Sequence, residues 1–289
     1  MSVWIPFLTA LIWPAAIFIL LAVYRREAST VLNLVRRRLE RGDKLSVGGF
    51  TIESPNPSLG VQSVLSSEAT SSRADFILAV TKADTHRRVL IATGAPFSGD
   101  PSGVVGAGDA LGMAALQAAF LAASSVKVET AIVRPSYAHL AELIRDNPAF
   151  LSVGGPYGNK LTRSVMDQTY TTFAFEGSTV HDRFEDEHYA PTIDVNTLSG
   201  KDWGMILSLP HPQYGSQGRA VIVAGIQGFG SQGAAMVFAG IQEYEELRAI
   251  AEDGCFEGLV EVVVESGKIA KLSVARCRRF DAGSAKGMA

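Results

Sequence analysis

The residues of this chain that could do chemistry lie in three glycine-rich turns. Residues 89–120, 150–166 and 220–238 share the order of buried strand, glycine turn and helix start. Glycine lets the main chain turn with φ > 0 and come close to a ligand. The first free N–H groups of a helix favour an anion, so each turn could hold a phosphate. Three such crossings in one domain predict a Rossmann-like sheet with a ligand cleft at its strand ends.

The first and second turns each place a polar side chain at a helix start. Asp109, after Gly108, is a natural N-cap that would stabilise its helix by about 1 kcal/mol. Alternatively, its carboxylate accepts hydrogen bonds from a ribose or sugar hydroxyl. Asn159, after Gly154 and Gly155, could bind a ligand or cap its own helix. Both alternatives stay open at both positions.

The third turn, residues 228–233 (GFGSQG), fits the G-x-G-x-x-G pattern between a strand and a helix. This is the setting of a dinucleotide fingerprint, but Ile226 and Gln227 intervene, and the turn lies near the C-terminal end. The turn could bind NAD or only pack a helix on the sheet. We favour another phosphate-bearing ligand held by the same N–H groups, with Gln227 either capping or binding. The predicted ligand-binding residues are Gly94, Gly108, Asp109, Gly154, Gly155, Asn159, Gln227, Gly228, Gly230 and Ser231.

Other candidate groups carry weaker signals. If residues 181–188 (HDRFEDEH) were helical, His181, Glu185 and His188 would share a face and could hold a metal. We favour a solvated acidic loop there and predict no metal site. His211, between two prolines, could line the cleft or be structural. The chain has no G-x-S-x-G elbow and no P-loop ending, so the sequence identifies no catalytic residue and no particular cofactor.

Composition and hydropathy indicate where the protein resides. Residues 3–24 carry no charge and exceed the roughly 20 apolar residues that a membrane helix needs. Arginines follow this segment, which predicts an uncleaved single-pass anchor in the lipid bilayer, N-terminus outside and the rest cytoplasmic. The rival interpretation, a cleaved signal peptide, lacks a clear basic start and cleavage site. A net charge of −3 argues against nucleic-acid binding, and two cysteines without CxxC spacing fit a reducing compartment.

The predicted domain order begins with a transmembrane helix over residues 1–24. A basic helix and short strand (25–53), a linker (54–73), a cytoplasmic domain (74–280) and a disordered tail (281–289) follow. The basic helix could be a plain stalk, a short coiled coil that pairs protomers, or a contact with anionic lipid. The fold class is α/β: a Rossmann-like, mostly parallel sheet with a C-terminal β-hairpin. Residues 76–80 are predicted as its first strand.

Residues 75–280 resemble a family of largely uncharacterised prokaryotic Rossmann-like domains. The shared pattern is a glycine-aspartate helix start (Gly108, Asp109, Ala110, Leu111), a GGPxxNxxT turn (Gly154, Gly155, Pro156, Asn159, Thr162), a D-[YW]-G-[LIM]-I strand (residues 202–206), and a proline turn with AGxxG[FY]G (Pro212, Ala224, Gly225, Gly228, Phe229, Gly230). This chain has His211 where the family carries Asn and Ser231 where it tends to have Thr. The resemblance implies the fold and these positions. The domain is also distantly similar to nucleotide-sensing Rossmannoid domains of prokaryotic conflict and signalling systems.

Three functions follow as hypotheses. The first is a membrane-anchored module that senses a nucleotide-derived ligand and relays it to the membrane or to partner protomers. The second is an enzyme that cleaves or transfers a nucleotide's glycosidic bond, or an NAD(P) oxidoreductase, using Asp109 or another carboxylate. The third is a structural subunit of a membrane complex.

Overall fold

The computed structural model describes residues 45–47, 50–52, 67–94, 106–122, 126–133, 137–240, 245–251 and 254–280. The chain divides into two compact units, residues 1–66 and 67–289. In the first unit, the described residues form an antiparallel hairpin of β1 (Leu45–Val47) and β2 (Phe50–Ile52). The predicted membrane segment at residues 3–24 lies outside the described residues. Among the helices that the structure does describe, none combines the length and apolarity of a membrane span.

The second unit alternates helices and strands. The helices are α1 (Ser67–Thr81), α2 (Ala83–His86), α3 (Ala107–Ala122), α4 (Tyr137–Asp146), α5 (Lys160–Gln168), α6 (Gly228–Phe238) and α7 (Glu245–Ile250). The strands are β3 (Arg88–Gly94), β4 (Lys127–Val133), β5 (Ala149–Val153), β6 (Phe173–Glu176), β7 (Thr179–Asp182), β8 (Glu187–Tyr189), β9 (Gly200–His211), β10 (Gly215–Gly225), β11 (Phe256–Glu265) and β12 (Lys268–Arg279).

Seven strands form one sheet in the order β12-β11-β9-β10-β5-β3-β4. Strands β4, β3, β5 and β10 pair in parallel, whereas β9, β11 and β12 pair antiparallel. The predicted α/β class and the C-terminal hairpin, which turns at Ser266 and Gly267, are confirmed. The antiparallel part is larger than that hairpin, because β9 also runs antiparallel to β10.

Apolar residues cover both faces of the large sheet, as expected for buried strands with near-continuous apolar runs. Val89 and Ile91 of β3 face a core shared with α1, α3, α6 and α7. Leu90 and Ala92 point the other way, into a core shared with α4, α5, β6 and β7. Because side chains alternate along each strand, the sheet packs on both faces and is the middle one of three layers.

The predicted strand at residues 76–80 is wrong, because these residues belong to α1. Phe76, Ile77 and Val80 are buried in the first core. Their spacing of i, i+1 and i+4 places them on one helix face, so an apolar run that fits a buried strand is here an amphipathic helix. Helix α1 also begins at Ser67, inside the predicted linker.

The acidic insert before β9 forms a second sheet of β6, β7 and β8, here called the three-stranded sheet. It is tied to β12 by Arg278, whose Nη1 and Nη2 donate to the buried carboxylate of Asp182 at 2.9 and 2.6 Å. Buried Glu257 of β11 accepts from the main-chain N–H groups of Thr172 and Phe173. Residues 181–188 form the end of β7, a turn and the start of β8. They are not helical, so the helix face on which His181, Glu185 and His188 would have lain together is wrong.

Candidate functional site

The three glycine turns meet at one edge of the large sheet. In the register of the parallel strands, Thr93 of β3 lies beside Val153 of β5, which lies beside Val223 of β10. Each strand ends within two residues of this row; Gly94 ends β3, and the second and third glycine turns follow β5 and β10. We call this the glycine edge: the carboxyl ends of β3, β5 and β10, the turns after β5 and β10, and the start of α3. Ligands of open α/β sheets bind at such an edge.

The turns contact one another through their main chains. A Cβ added to Gly94 would lie 2.6 Å from Asn159 Cα, and one added to Gly155 would lie 3.0 Å from the Gly225 carbonyl oxygen. A Cβ on Gly108 would lie 2.5 Å from Gly228 Cα. Ordinary contacts between carbon atoms are about 3.5–4.0 Å. The first turn therefore contacts the second and the third turns, and the second contacts the third.

Asp109 lies where all three turns meet. It belongs to the first turn of α3, and its Oδ2 is 2.6 Å from where a Cβ of Gly154 would be. Gly154 has φ +105°, a conformation that glycine adopts without strain. Burial raises the pKa of the Asp109 carboxyl, and the side chain of buried Ser231, in the third turn, opposes that rise.

Asn159 is the N-cap of α5, and its side chain is fully engaged. Oδ1 accepts from the N–H groups of Leu161 and Thr162, at 2.9 and 3.4 Å. Nδ2 donates to Ser152 Oγ and to the Val153 carbonyl, at 3.0 and 2.9 Å. These four bonds use the whole capacity of an amide. Of the two roles considered for Asn159, the structure therefore shows the cap, which holds the second turn in place.

The third turn has its own internal anion. The buried carboxylate of Asp202 accepts from Gly230 N–H at 2.6 Å and from Gln227 N–H at 3.3 Å. Burial raises the pKa of Asp202, and its main-chain hydrogen bonds, including one from Trp203, oppose that rise. A carboxylate at a helix N-terminus takes the place where a phosphate would bind. Gln227 itself is exposed, and its side chain makes no cap at α6.

Sequence reasoning did not identify this role of Asp202, although a signal was present. Asp202 lies in a strand that continues as WGMILSL. Burying a carboxylate in such an apolar strand is costly unless hydrogen-bond donors pair with it. The partner could not be read from the sequence, because the amides that it accepts belong to a turn far along the chain.

Two further residues of the glycine edge were also missed. Tyr157 of the second turn is 50% exposed, and the guanidinium of Arg163 lies 5.9 Å from its ring centre. Arg163 Nε also donates to the Pro156 carbonyl at 3.1 Å, which holds the arginine against the turn. Tyr157 lies three positions after Gly154, so their Cα atoms lie within about 11 Å of each other. An exposed aromatic ring after a glycine turn was the available signal.

Thr93 supplies a buried polar atom at the end of β3. Its hydroxyl is fully buried and has no hydrogen-bond partner within the part of the chain that the structure describes. Leaving such a group unpaired costs roughly 1–3 kcal/mol. A polar group of a ligand at the glycine edge would satisfy it.

His211 lies at the opposite end of the sheet and is structural. Its Nδ1 accepts from the N–H groups of Gln213 and Tyr214, at 3.0 and 3.1 Å. Nε2 therefore carries the proton and donates to the Asn147 carbonyl at 3.2 Å. Burial lowers the pKa of His211, which keeps the ring neutral. The cleft role considered for this residue is wrong.

Comparison of the chain with protein-family models, curated proteins and solved structures found no match in any of the three. The fold and the glycine edge therefore define the class of protein on their own: a mixed α/β domain with glycine turns gathered around a partly buried aspartate.

Proposed function

We propose that this chain is a single-pass, membrane-anchored protein whose cytoplasmic Rossmann-like domain senses a nucleotide-derived ligand at the glycine edge. The observation that carries the proposal is Asp109, a carboxylate placed where three glycine turns meet and beside Ser231. A carboxylate at a helix start beside a strand end is suited to accept hydroxyl hydrogen bonds from a ribose. The Ser231 side chain lies beside that carboxylate, and the Thr93 hydroxyl offers a further bond.

The same edge offers groups for the other parts of a nucleotide. The exposed ring of Tyr157 can stack a base, since every base presents a π face. Arg163, held beside it, adds positive charge for a phosphate. Asp202 accepts from the amides of Gln227 and Gly230, and Asn159 accepts from those of Leu161 and Thr162, so the phosphate falls to Arg163 rather than to these helix-start amides.

The proposed anchor rests on the uncharged residues 3–24 and the arginines that follow them. The positive-inside tendency places the N-terminus outside and the Rossmann-like domain in the cytoplasm. An anchored sensor needs a partner to which it passes its signal. A second copy of this chain, or a membrane complex in which it is an accessory subunit, fits that requirement.

Thermal unfolding of the full chain in detergent, with a panel of nucleosides, nucleotides, cyclic nucleotides and NAD, tests the proposal. A ligand that binds the native state must raise the melting temperature. Asp109→Asn should abolish the rise, whereas Asp167→Asn, on exposed α5 surface, should keep it. Tyr157→Ala should weaken binding and Tyr170→Ala should not. Tyr170 is a close match, being 43% exposed with Arg183 5.5 Å from its ring centre. The absence of any shift at millimolar ligand would refute the proposal.

One observation favours a second candidate, an enzyme that acts on a nucleotide at the same site. Because burial raises its pKa, Asp109 retains a proton at a higher pH than an exposed aspartate does, as a general acid requires. Such a group can protonate the leaving base as the glycosidic bond breaks, while water adds to the sugar carbon that the base leaves. Incubation with NAD and nucleotides, followed by product analysis, separates the candidates: an enzyme releases free base and loses activity in Asp109→Asn, while a sensor leaves every compound intact.

A further inference from the structure

Two histidines and a glutamate lie close together on the three-stranded sheet. His181 of β7 and His188 of β8 are directly opposite each other across the antiparallel pair. Their rings stack with centres 4.1 Å apart and planes 8° apart. Glu176, which ends β6, reaches the same place: its Oε1 lies 2.9 Å from His181 Nδ1. The β-sheet, rather than a helix, thus brings the two histidines together.

The donor atoms of Glu176, His181 and His188 lie within 4.8 Å of one another. Two ligands of a tetrahedral ion, with bonds of 2.0–2.2 Å, lie about 3.3–3.6 Å apart. The carboxylate and His181 Nδ1 are already slightly closer than that, at 2.9 Å. The remaining gap, from 4.8 Å to about 3.3 Å, is at most about 1.5 Å. Rotation about the side-chain torsions of exposed His188 can close it and also turns the ring out of its stack on His181, so that both imidazoles can point at one ion.

A fourth residue, Asp186, contacts His181 at the ring nitrogen that does not face Glu176. Asp186 Oδ1 lies 3.1 Å from the other nitrogen of His181, Nε2. Metal-bound histidines almost always donate their second N–H to a carboxylate, which fixes the tautomer and makes the ligating nitrogen more basic. Asp186 has φ +56° in the turn between β7 and β8, so the backbone holds it at this place. It is a positioning residue, whereas the other three supply ligand atoms.

The donor set selects the kind of ion. Two imidazoles and one carboxylate suit a first-row transition-metal dication, and the same set with a water binds zinc in known enzymes. Calcium and magnesium prefer all-oxygen sites, so imidazoles disfavour them. The acidic neighbours Glu185, Asp186 and Glu187 lower the cost of bringing a dication to the surface.

We propose that Glu176, His181 and His188 form a binding site for a transition-metal dication such as Zn²⁺, with Asp186 orienting His181. The site is independent of the glycine edge and of its proposed ligand. Because all three ligands lie on strands of one small sheet, the ion would join β6, β7 and β8 at their exposed surface.

Isothermal titration of the full chain with ZnCl₂ tests this site. The protein carries no polyhistidine tag and is first dialysed against a chelator. We expect one Zn²⁺ per chain and a higher melting temperature with zinc. His188→Gln and Glu176→Gln should each weaken binding by more than about 100-fold, and Asp186→Asn by about 10–100-fold, as for other outer-shell carboxylates.

Two controls separate the site from general surface charge. Glu185→Gln removes the acid that a helical arrangement would have used, and His139→Gln removes a histidine of α4. Both should bind zinc within about twofold of the original chain, far from the loss expected when a ligand is removed. Failure of the original chain to bind zinc, full affinity in His188→Gln with a retained fold, or tighter binding of Ca²⁺ than of Zn²⁺ would each overturn the proposal.

Discussion

Replacing Gly108 by alanine tests whether the first and third glycine turns are in contact. The new Cβ would lie 2.5 Å from Gly228 Cα and closer still to the Gly228 carbonyl oxygen. Since carbon atoms normally approach to about 3.5 Å, the start of α3 and the start of α6 would have to separate by about 1 Å. The neighbour is main chain, which cannot swing aside as a side chain can. Overpacking costs typically about 1–3 kcal/mol and occasionally more, so we expect about 3 kcal/mol.

The assay is equilibrium thermal unfolding of the full chain, monitored by circular dichroism. A loss of about 3 kcal/mol corresponds to a fall in melting temperature of about 6–12 °C for a domain of this size. Gly158→Ala is the matched control, because a Cβ there would have no neighbour within 4 Å. Alanine in a helix is otherwise better than glycine by up to about 1 kcal/mol, so the loss at Gly108 opposes intrinsic propensity. If Gly108→Ala is as stable as Gly158→Ala, the turns do not meet as described.

Three further predictions concern buried charge. Arg278→Ala should cost about 3 kcal/mol in unfolding free energy, because it leaves the buried Asp182 carboxylate unpaired; Arg276→Ala, whose ion pair is exposed, should cost less than about 1 kcal/mol. Since burial raises the pKa of Asp109, the native state holds its proton more tightly than the unfolded chain. The original protein should therefore lose stability relative to Asp109→Asn as the pH rises above about 4, and a difference independent of pH would contradict this. His211 has the opposite sign: its pKa is lowered, so the unfolded chain binds the proton more tightly. Stability relative to His211→Gln should fall as the pH drops below about 6.5 in denaturant titrations, and a constant difference would count against the neutral buried ring.

Local signals in the sequence were sufficient for much of the fold. The glycine turns after β5 and β10, and the hairpin at Ser266 and Gly267, follow from turn chemistry beside apolar runs. Helix α1 was missed because a short apolar run fits a buried strand as well as a helix face. Strands β7 and β8 were missed because their apolar content is low and the pairing of the three-stranded sheet depends on burial against β12.

The candidate site could be predicted only in part. The positions of Asp109 and Gly154 follow from their turns, since parallel strands end at one edge. Their contact with Ser231, and the occupation of the third turn by Asp202, depend on packing between segments far apart in the chain. The histidine pair shows the same limit, because His181 and His188 are brought together by strand register and not by helix spacing. A glycine motif predicts where amides lie but not what they already bind.

A crystal structure of the full chain grown with the nucleotide that raises its melting temperature most tests the central claim directly. The account predicts a sugar hydroxyl within hydrogen-bonding distance of the Asp109 carboxylate and the base against the Tyr157 ring. A nucleotide bound elsewhere, with no contact to Asp109, would contradict it.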